Sequence, residues 1–302
     1  MAFLARRPRR GQSPDAKPMK KIAIIGHSHI VALLNAIGEW RKPANMDAAS
    51  GDSEKDLSSS FRGWRSINTS GKLFEILPHD RFEKFRGTKV SLLTEATPGS
   101  SPLALRHSEG EQHFIQMTPL MKEFLDAVAG FDAVISVLHG GDHTFRSLLN
   151  DMPEYDFVPF EDDGAGYCPI DISYINLLME TQVLALVYAP LAAMRMTLPN
   201  TKIIHIAPPP PLEDPSIVRF RASLDRLIDQ YGFLRPSLRL KWYSHYLSLL
   251  RDFSAKIGIT LVEPSKDCVS ESGFLKPDYS EDLAHGNVEY GRVLAGRVAD
   301  LI

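Results

Sequence analysis

Four short blocks of this chain carry residues able to do chemistry: Gly26-His27-Ser28-His29, Gly99-Ser100-Ser101, His139-Gly140-Gly141-Asp142-His143 and Asp282-Leu283-Ala284-His285. A serine hydroxyl becomes a nucleophile when a base within hydrogen-bond reach takes its proton. That base in turn needs a carboxylate to fix its tautomer and stabilise the imidazolium. Ser28, His285 and Asp282 supply these three roles. Histidines and carboxylates also bind zinc or a similar ion, and His27, His29, Asp142 and His143, with His139 close by, form an alternative metal-binding set. A third reading is purely structural, in which Ser28 or His27 caps a helix.

Chemistry of either kind requires the four blocks to meet, so the elements around them matter. The stretch from Lys20 carries a continuous, isoleucine-rich apolar run, Ile22 to Ile25, that stops at Gly26, and apolar residues then recur at 30, 33, 34 and 37 with helical spacing. This predicts strand, tight turn, helix, with Ser28 at the helix start. Further strands are expected at 88–96, 133–138, 201–207 and 259–262. Helices are expected around 120–128 and 238–257, the latter stopped by Gly258, and after Asn287. Residues 175–196 read as a buried helical segment interrupted by Pro190, and Asp214-Pro215-Ser216 as the start of another helix. Strand and helix alternate about five times, which predicts an α/β fold with a parallel sheet covered by helices on both faces. In such a sheet the strand ends share one edge, so blocks far apart in sequence converge there.

The chain has 302 residues, 44% hydrophobic and 24% charged, which suits one main domain with an ample core. A net charge of -3 gives no global reason to expect nucleic acid, and no apolar run has the length of a membrane span. Cys168 and Cys268 stand far apart, so neither a disulfide framework nor a cysteine zinc site is indicated, and a cytoplasmic location is the default expectation. Residues 1–18, with Arg6, Arg7, Arg9 and Arg10, read as a disordered basic tail; contact with an anionic surface is the alternative. The domain is expected over 19–302, with insertions at about 41–87 and 144–175 that shape a pocket. Trp64 in the first reads as packing, with stacking on a sugar as the other option. His205, inside a strand, reads as a hydrogen-bonded core residue; His79, His107, His113 and His245 read as surface or structural.

The order of these blocks resembles the SGNH hydrolases, the GDSL-type esterase and lipase superfamily, over roughly Met19 to Ile302. In that superfamily a Gly-Asp-Ser turn follows the first strand, a Gly the second and a Gly-x-Asn-Asp turn the third, with an Asp-x-x-His near the end. The resemblance implies a three-layer α/β/α, flavodoxin-like, doubly wound five-stranded parallel sheet. It makes Ser28 the nucleophile, His285 the base and Asp282 its orienter, with the Ser28 and Gly99 amides as oxyanion donors. His27, His29, His139, Gly141 and His143 would then line the substrate pocket. The substrate implied is a small-molecule or saccharide ester, with no cofactor and no metal.

Two positions depart from the pattern. His27 replaces the Asp beside the nucleophile, and Asp142 stands where the superfamily has the Asn that donates to the oxyanion. An ionised carboxylate only accepts hydrogen bonds and would repel the developing charge. Asp142 is therefore protonated, or faces away while His139 or His143 donates, or marks a binding protein that has lost catalysis. The metal-dependent alternative resembles the metallophosphoesterases in His27-Ser28-His29 and Gly141-Asp142, but their Gly-Asn-His turn and late His-x-His are missing.

Overall fold

The structure is a computed structural model and describes residues 20–26, 29–37, 65–66, 73–76, 89–94, 103–109, 112–138, 148–150, 155–157, 167–217 and 222–302. The basic tail, most of the first insertion (Trp64 included) and part of the second insertion lie outside these residues.

The first strand, β1 (Lys21–Gly26), is buried from Ile22 onward and leads into α1 (Ile30–Ile37). After it come β2 (Arg65–Ser66), β3 (Leu73–Ile76), β4 (Lys89–Thr94), the hairpin β5 (Ala104–Glu109) and β6 (Gln112–Met117), α2 (Pro119–Ala127) and β7 (Ala133–Val137). The second half holds β8 (Tyr155–Phe157), β9 (Cys168–Ile170), α3 (Ile172–Leu178), α4 (Ala185–Thr197) and β10 (Lys202–Ile206). It ends with α5 (Ala222–Tyr231), α6 (Pro236–Lys256), β11 (Thr260–Val262) and α7 (Val288–Leu301).

The main sheet runs β11-β10-β7-β1-β4-β3-β2, and every pairing from β11 to β4 is parallel. Counted by position in the chain, the parallel strands lie in the order second, first, third, fourth, fifth, the flavodoxin-like doubly wound arrangement. The winding direction reverses between β1 and β7, and this switch point is where such sheets open a crevice beyond their carboxyl ends. The sheet is larger than the expected five strands. The first insertion, expected to shape a pocket, contributes β3 and β2, both antiparallel, to its edge, giving seven.

Strand alternation builds the layers. Ile22 and Ile24 of β1, Ile135 and Val137 of β7, and Ile204 and Ile206 of β10 pack with Leu33, Ile37, Leu294 and Val298 of α1 and α7. Their neighbours Ala23, Ile25, Val134 and Ile203 point the other way, into a core with Phe124 of α2, Leu191 and Met194 of α4, and Trp242 and Leu250 of α6. Each fully buried large aliphatic side chain contributes roughly 1.5–3 kcal/mol.

Three differences from the sequence reading have local causes. The segment expected as one helix interrupted at Pro190 breaks earlier, at a π-helical turn Met179–Val183, and α3 and α4 meet at a 63° bend; Pro190 sits inside α4. Among the described residues no single helix is long and apolar enough to cross a membrane. The Asp214 block forms only a 3-10 turn, Pro215–Ile217, with the Asp214 carboxylate accepting the Ser216 amide at 2.9 Å, and α5 starts later. The 144–175 excursion carries the short parallel pair β8 and β9, which a buried ion cluster holds down. Asp156 of β8, 1% exposed, pairs with Lys241 at 2.5 Å and Arg235 at 3.0 Å.

Candidate active site

The switch point is tightly closed at its base. A Cβ on Gly26, the last residue of β1, would lie 2.9 Å from the carbonyl oxygen of Val137 at the end of β7. Only a residue without a side chain allows the two strand ends to approach so closely. Just beyond it, α1 and α7 dock backbone to backbone. A Cβ on Gly291 would come within 1.9 Å of the Ala32 carbonyl oxygen, so these helices meet at a distance that only glycine permits. Both helices begin at candidate blocks: α1 follows Ser28-His29, and α7 follows Asp282 to Asn287.

The loop before α7 is built around Asp282. Its Oδ1 accepts the amides of Ala284 at 2.8 Å and His285 at 2.9 Å, folding the chain into an Asx-type turn. His285 Nδ1 lies 2.8 Å from both Asp282 oxygens. A carboxylate has no proton to give, so Nδ1 is the donor and, in the neutral ring, Nε2 is the acceptor. The turn is anchored from below by Leu283 and Ala284, each 5% exposed. It is closed by a bridge between Ser280 and Gly286 and by the Ser280 hydroxyl, which donates to the Asp282 carbonyl at 2.7 Å. Asn287 fastens it to the helix: its Oδ1 accepts from the amides of Glu289 and Tyr290, while its Nδ2 donates to the Asp278 carbonyl at 2.8 Å. The side chains of His285 and Asp282 remain 29% and 36% exposed, so the pair is reachable from solvent.

Burial works to raise the Asp282 carboxyl. The hydrogen bond from His285, the attraction to that ring and the amides of Ala284 and His285 outweigh it, and the carboxyl is held below the ordinary carboxylate range. Asp282 is therefore an anion at neutral pH.

The third described member of the site is His29, in the turn that opens α1. It is 7% exposed, and its ring centroid lies 4.2 Å from that of His285, with 33° between the ring planes. Of the residues singled out in the sequence, the structure brings together His29, Asp282 and His285. Ser28, His27, Gly99, His139, Gly141, Asp142 and His143 lie outside the described residues. Of the alternative metal set, His29 alone is described, and among the described residues no group of three or more possible ligands gathers.

His205 is a core residue, as its strand position implies. It is fully buried with Nδ1 3.0 Å from the Ser136 hydroxyl. His245 sits 2.6 Å from Asn176, and His107 stacks on Phe114. Two residues that sequence reasoning left without a role support the site. Asn287 has the signal of its type, a helix-capping amide just ahead of an apolar helical pattern. Gly291 has none, because a glycine inside a helix shows its purpose only through what packs on it. A separate cleft of about 330 Å³ between α4, α6 and the β5–β6 hairpin, lined by Tyr188, Leu249 and Phe253, shares no residue with this site.

No family model matches the chain, and no curated protein matches it in sequence. Among solved structures it is similar to the periplasmic domain of a lipopolysaccharide acetyltransferase from Salmonella ser. Paratyphi A, with a TM-score of 0.42 and 15% identity over 94% of this chain and 84% of that one. It is also similar to a GDSL-like lipase from Bacteroides thetaiotaomicron, with a TM-score of 0.42 and 10% identity over 96% and 92% of the two chains. A carbohydrate acetylesterase from Sinorhizobium meliloti gives 0.38 and 12% over 93% and 97%.

Proposed function

We propose that this chain is a serine esterase of the SGNH type that removes an acyl or acetyl group from a small-molecule or saccharide ester. The observation that carries the reading is the Asp282–His285 pair: a solvent-reachable imidazole whose Nδ1 is held by a carboxylate kept ionised, leaving the proton-accepting role to Nε2. The ordered blocks at 26–28, 99, 140–143 and 282–285 supply the rest.

In this reading Ser28 Oγ attacks the ester carbonyl carbon while its proton passes to His285 Nε2. The tetrahedral intermediate collapses, the alcohol leaves with that proton, and the acyl group stays on Ser28. Water then attacks the acyl-enzyme, gives its proton to His285, and the carboxylic acid departs as Ser28 regains the proton. The Ser28 and Gly99 amides hold the oxyanion. Asp142 is a poor third donor, and losing one donor typically costs about 10²–10³ in rate, so turnover is expected to be slow.

The test is hydrolysis of short-chain acyl esters and acetylated sugars by the wild type, Ser28→Ala and His285→Ala. Each substitution is expected to lower kcat by about 10⁴-fold or more with the fold intact by circular dichroism. Full activity in either variant contradicts the assignment, and a well-folded wild type that binds but never cleaves acetylated sugars identifies a binding protein instead.

A further inference from the structure

Resting on the esterase reading, we propose that His29 is a positioning residue for the base, its buried ring stacked on His285 so that the two imidazoles are coupled and His285 works only while His29 is neutral. The juxtaposition is direct: the ring centroids are 4.2 Å apart and tilted by 33°, with His29 only 7% exposed beneath a ring that is 29% exposed.

The fold fixes that distance from both sides. His29 opens α1, which Ile30, Leu33 and Ile37 bury against the sheet, and His285 sits on the loop that Asn287 fastens to α7. The contact of Gly291 with the Ala32 carbonyl sets how closely α1 and α7 approach, and with it the spacing of the backbones that carry the two rings. One face of the His285 imidazole is thus backed by His29, while Asp282 holds its edge.

Charge gives the stack its consequence. During acyl transfer His285 becomes an imidazolium. A neutral aromatic ring against it is favourable, whereas a second imidazolium at this spacing repels it. Helix α1 presents its N-terminal end to His29, with no acidic residue in its first turn, which disfavours a proton there. Among the described residues, the other titratable groups on α7 and the loop before it are Asp282, bonded to His285; Asp278, Tyr279 and Glu281 of that loop; Glu289, paired with Arg292 at the surface; Tyr290, buried; and Arg297 and Asp300 farther along the helix. His27, next to Ser28 in sequence, lies outside the described residues. The stack opposes a proton on both rings at once. Two groups so placed titrate in separate macroscopic steps.

The experiment is a ¹⁵N-histidine NMR titration of the full chain alongside kcat and KM against pH for the wild type, His29→Phe and His29→Ala. Expected in the wild type are two-step titration curves for both rings. Below both steps, log(kcat/KM) falls with a slope approaching two. His29→Phe keeps an aromatic ring without a titrating one, so His285 then titrates in one step and the acid limb falls with a slope of one. His29→Ala lowers kcat by roughly tenfold with little change in KM, and His29→Phe recovers most of it, as expected for a group that orients a base. Identical single-step titration of His285 in the wild type and His29→Phe overturns the coupling, and an undiminished kcat in His29→Ala overturns the positioning role. The NMR readout needs no turnover, so an inactive wild type counts against the esterase reading while the titration still decides the coupling.

Discussion

Two of the histidines that face an oxygen partner sit in opposite surroundings, one at the centre of the sheet and one on the loop above its edge. His205 of β10 faces Ser136 of β7 across a parallel pairing, both with no exposed surface, and burial pushes the imidazole down to about 3, hydrogen bonding to Ser136 offsetting only part of it. His285 sits on a loop, partly exposed, with the Asp282 carboxylate bonded to Nδ1. Both are histidines beside an oxygen, yet one is kept neutral and sealed while the other is given a counter-charge and access. A serine and a histidine in contact are therefore no sign of catalysis. What separates a reactive pair from a structural one is whether the environment accepts an imidazolium.

The sharpest way to break this comparison is to take away the counter-charge. Asp282→Asn leaves a side chain of nearly the same shape but removes the anion and puts an NH2 donor in place of one of the two oxygens that face His285 Nδ1, so the ring can take the wrong tautomer and kcat is expected to fall on the order of 10⁴-fold with KM little changed. The same substitution removes an acid-sensitive contribution to stability. A carboxyl held below its usual value of 3.8 stabilises the fold above that pH and loses this as pH falls through the depressed folded value. Acid unfolding of the wild type, but not of Asp282→Asn, should carry that component. Equal kcat values for the two proteins would deny Asp282 its role.

Second in size is the support beneath the loop. Gly291→Val drives a side chain into the Ala32 carbonyl and should cost about 2–4 kcal/mol in urea unfolding, with loss of activity in the fraction that folds as α1 and α7 part. Wild-type stability in this variant would show that the helices tolerate separation. The sealed histidine is expected to change stability alone and leave catalysis untouched. With a folded value of about 3 against 6.5 ordinarily, the unfolded chain binds a proton between those limits that the folded chain does not. Stability thus declines as pH drops from about 6.5 toward about 3. His205→Gln should flatten that slope in urea midpoints measured from pH 7 to 4, leaving the pH profile of ester hydrolysis in place; an unchanged slope would mean another group titrates there.

Much of the architecture was legible because buried parallel strands announce themselves. Ile22 to Ile25 is a continuous apolar run, and Ala133 to Leu138 and Ile203 to Ile206 are interrupted only by Ser136 and His205, as strands covered on both faces must nearly be. The β5–β6 hairpin was not legible, since Leu105 and Phe114 are 43% and 47% exposed and break the alternation that would betray it. Arg239 was hidden for a similar reason. An arginine in a helix reads as surface, yet this one is 2% exposed, spending its guanidinium on the carbonyls of Leu234, Leu212 and Glu213. At the site, Asp282 and His285 stood out by type and spacing. The stack of His29 on His285 joins residues far apart in sequence and depends on how α1 meets α7, which no local pattern encodes.

The central claim is that Ser28 is activated by the Asp282–His285 pair, and covalent trapping tests it most directly. Wild type, Ser28→Ala and His285→Ala would be treated in parallel with a fluorophosphonate and analysed by intact mass and peptide mapping. The account predicts a single adduct on Ser28 in the wild type, none in Ser28→Ala and strongly slowed labelling in His285→Ala. No adduct on the folded wild type, or equally fast labelling of Ser28 without His285, would contradict it.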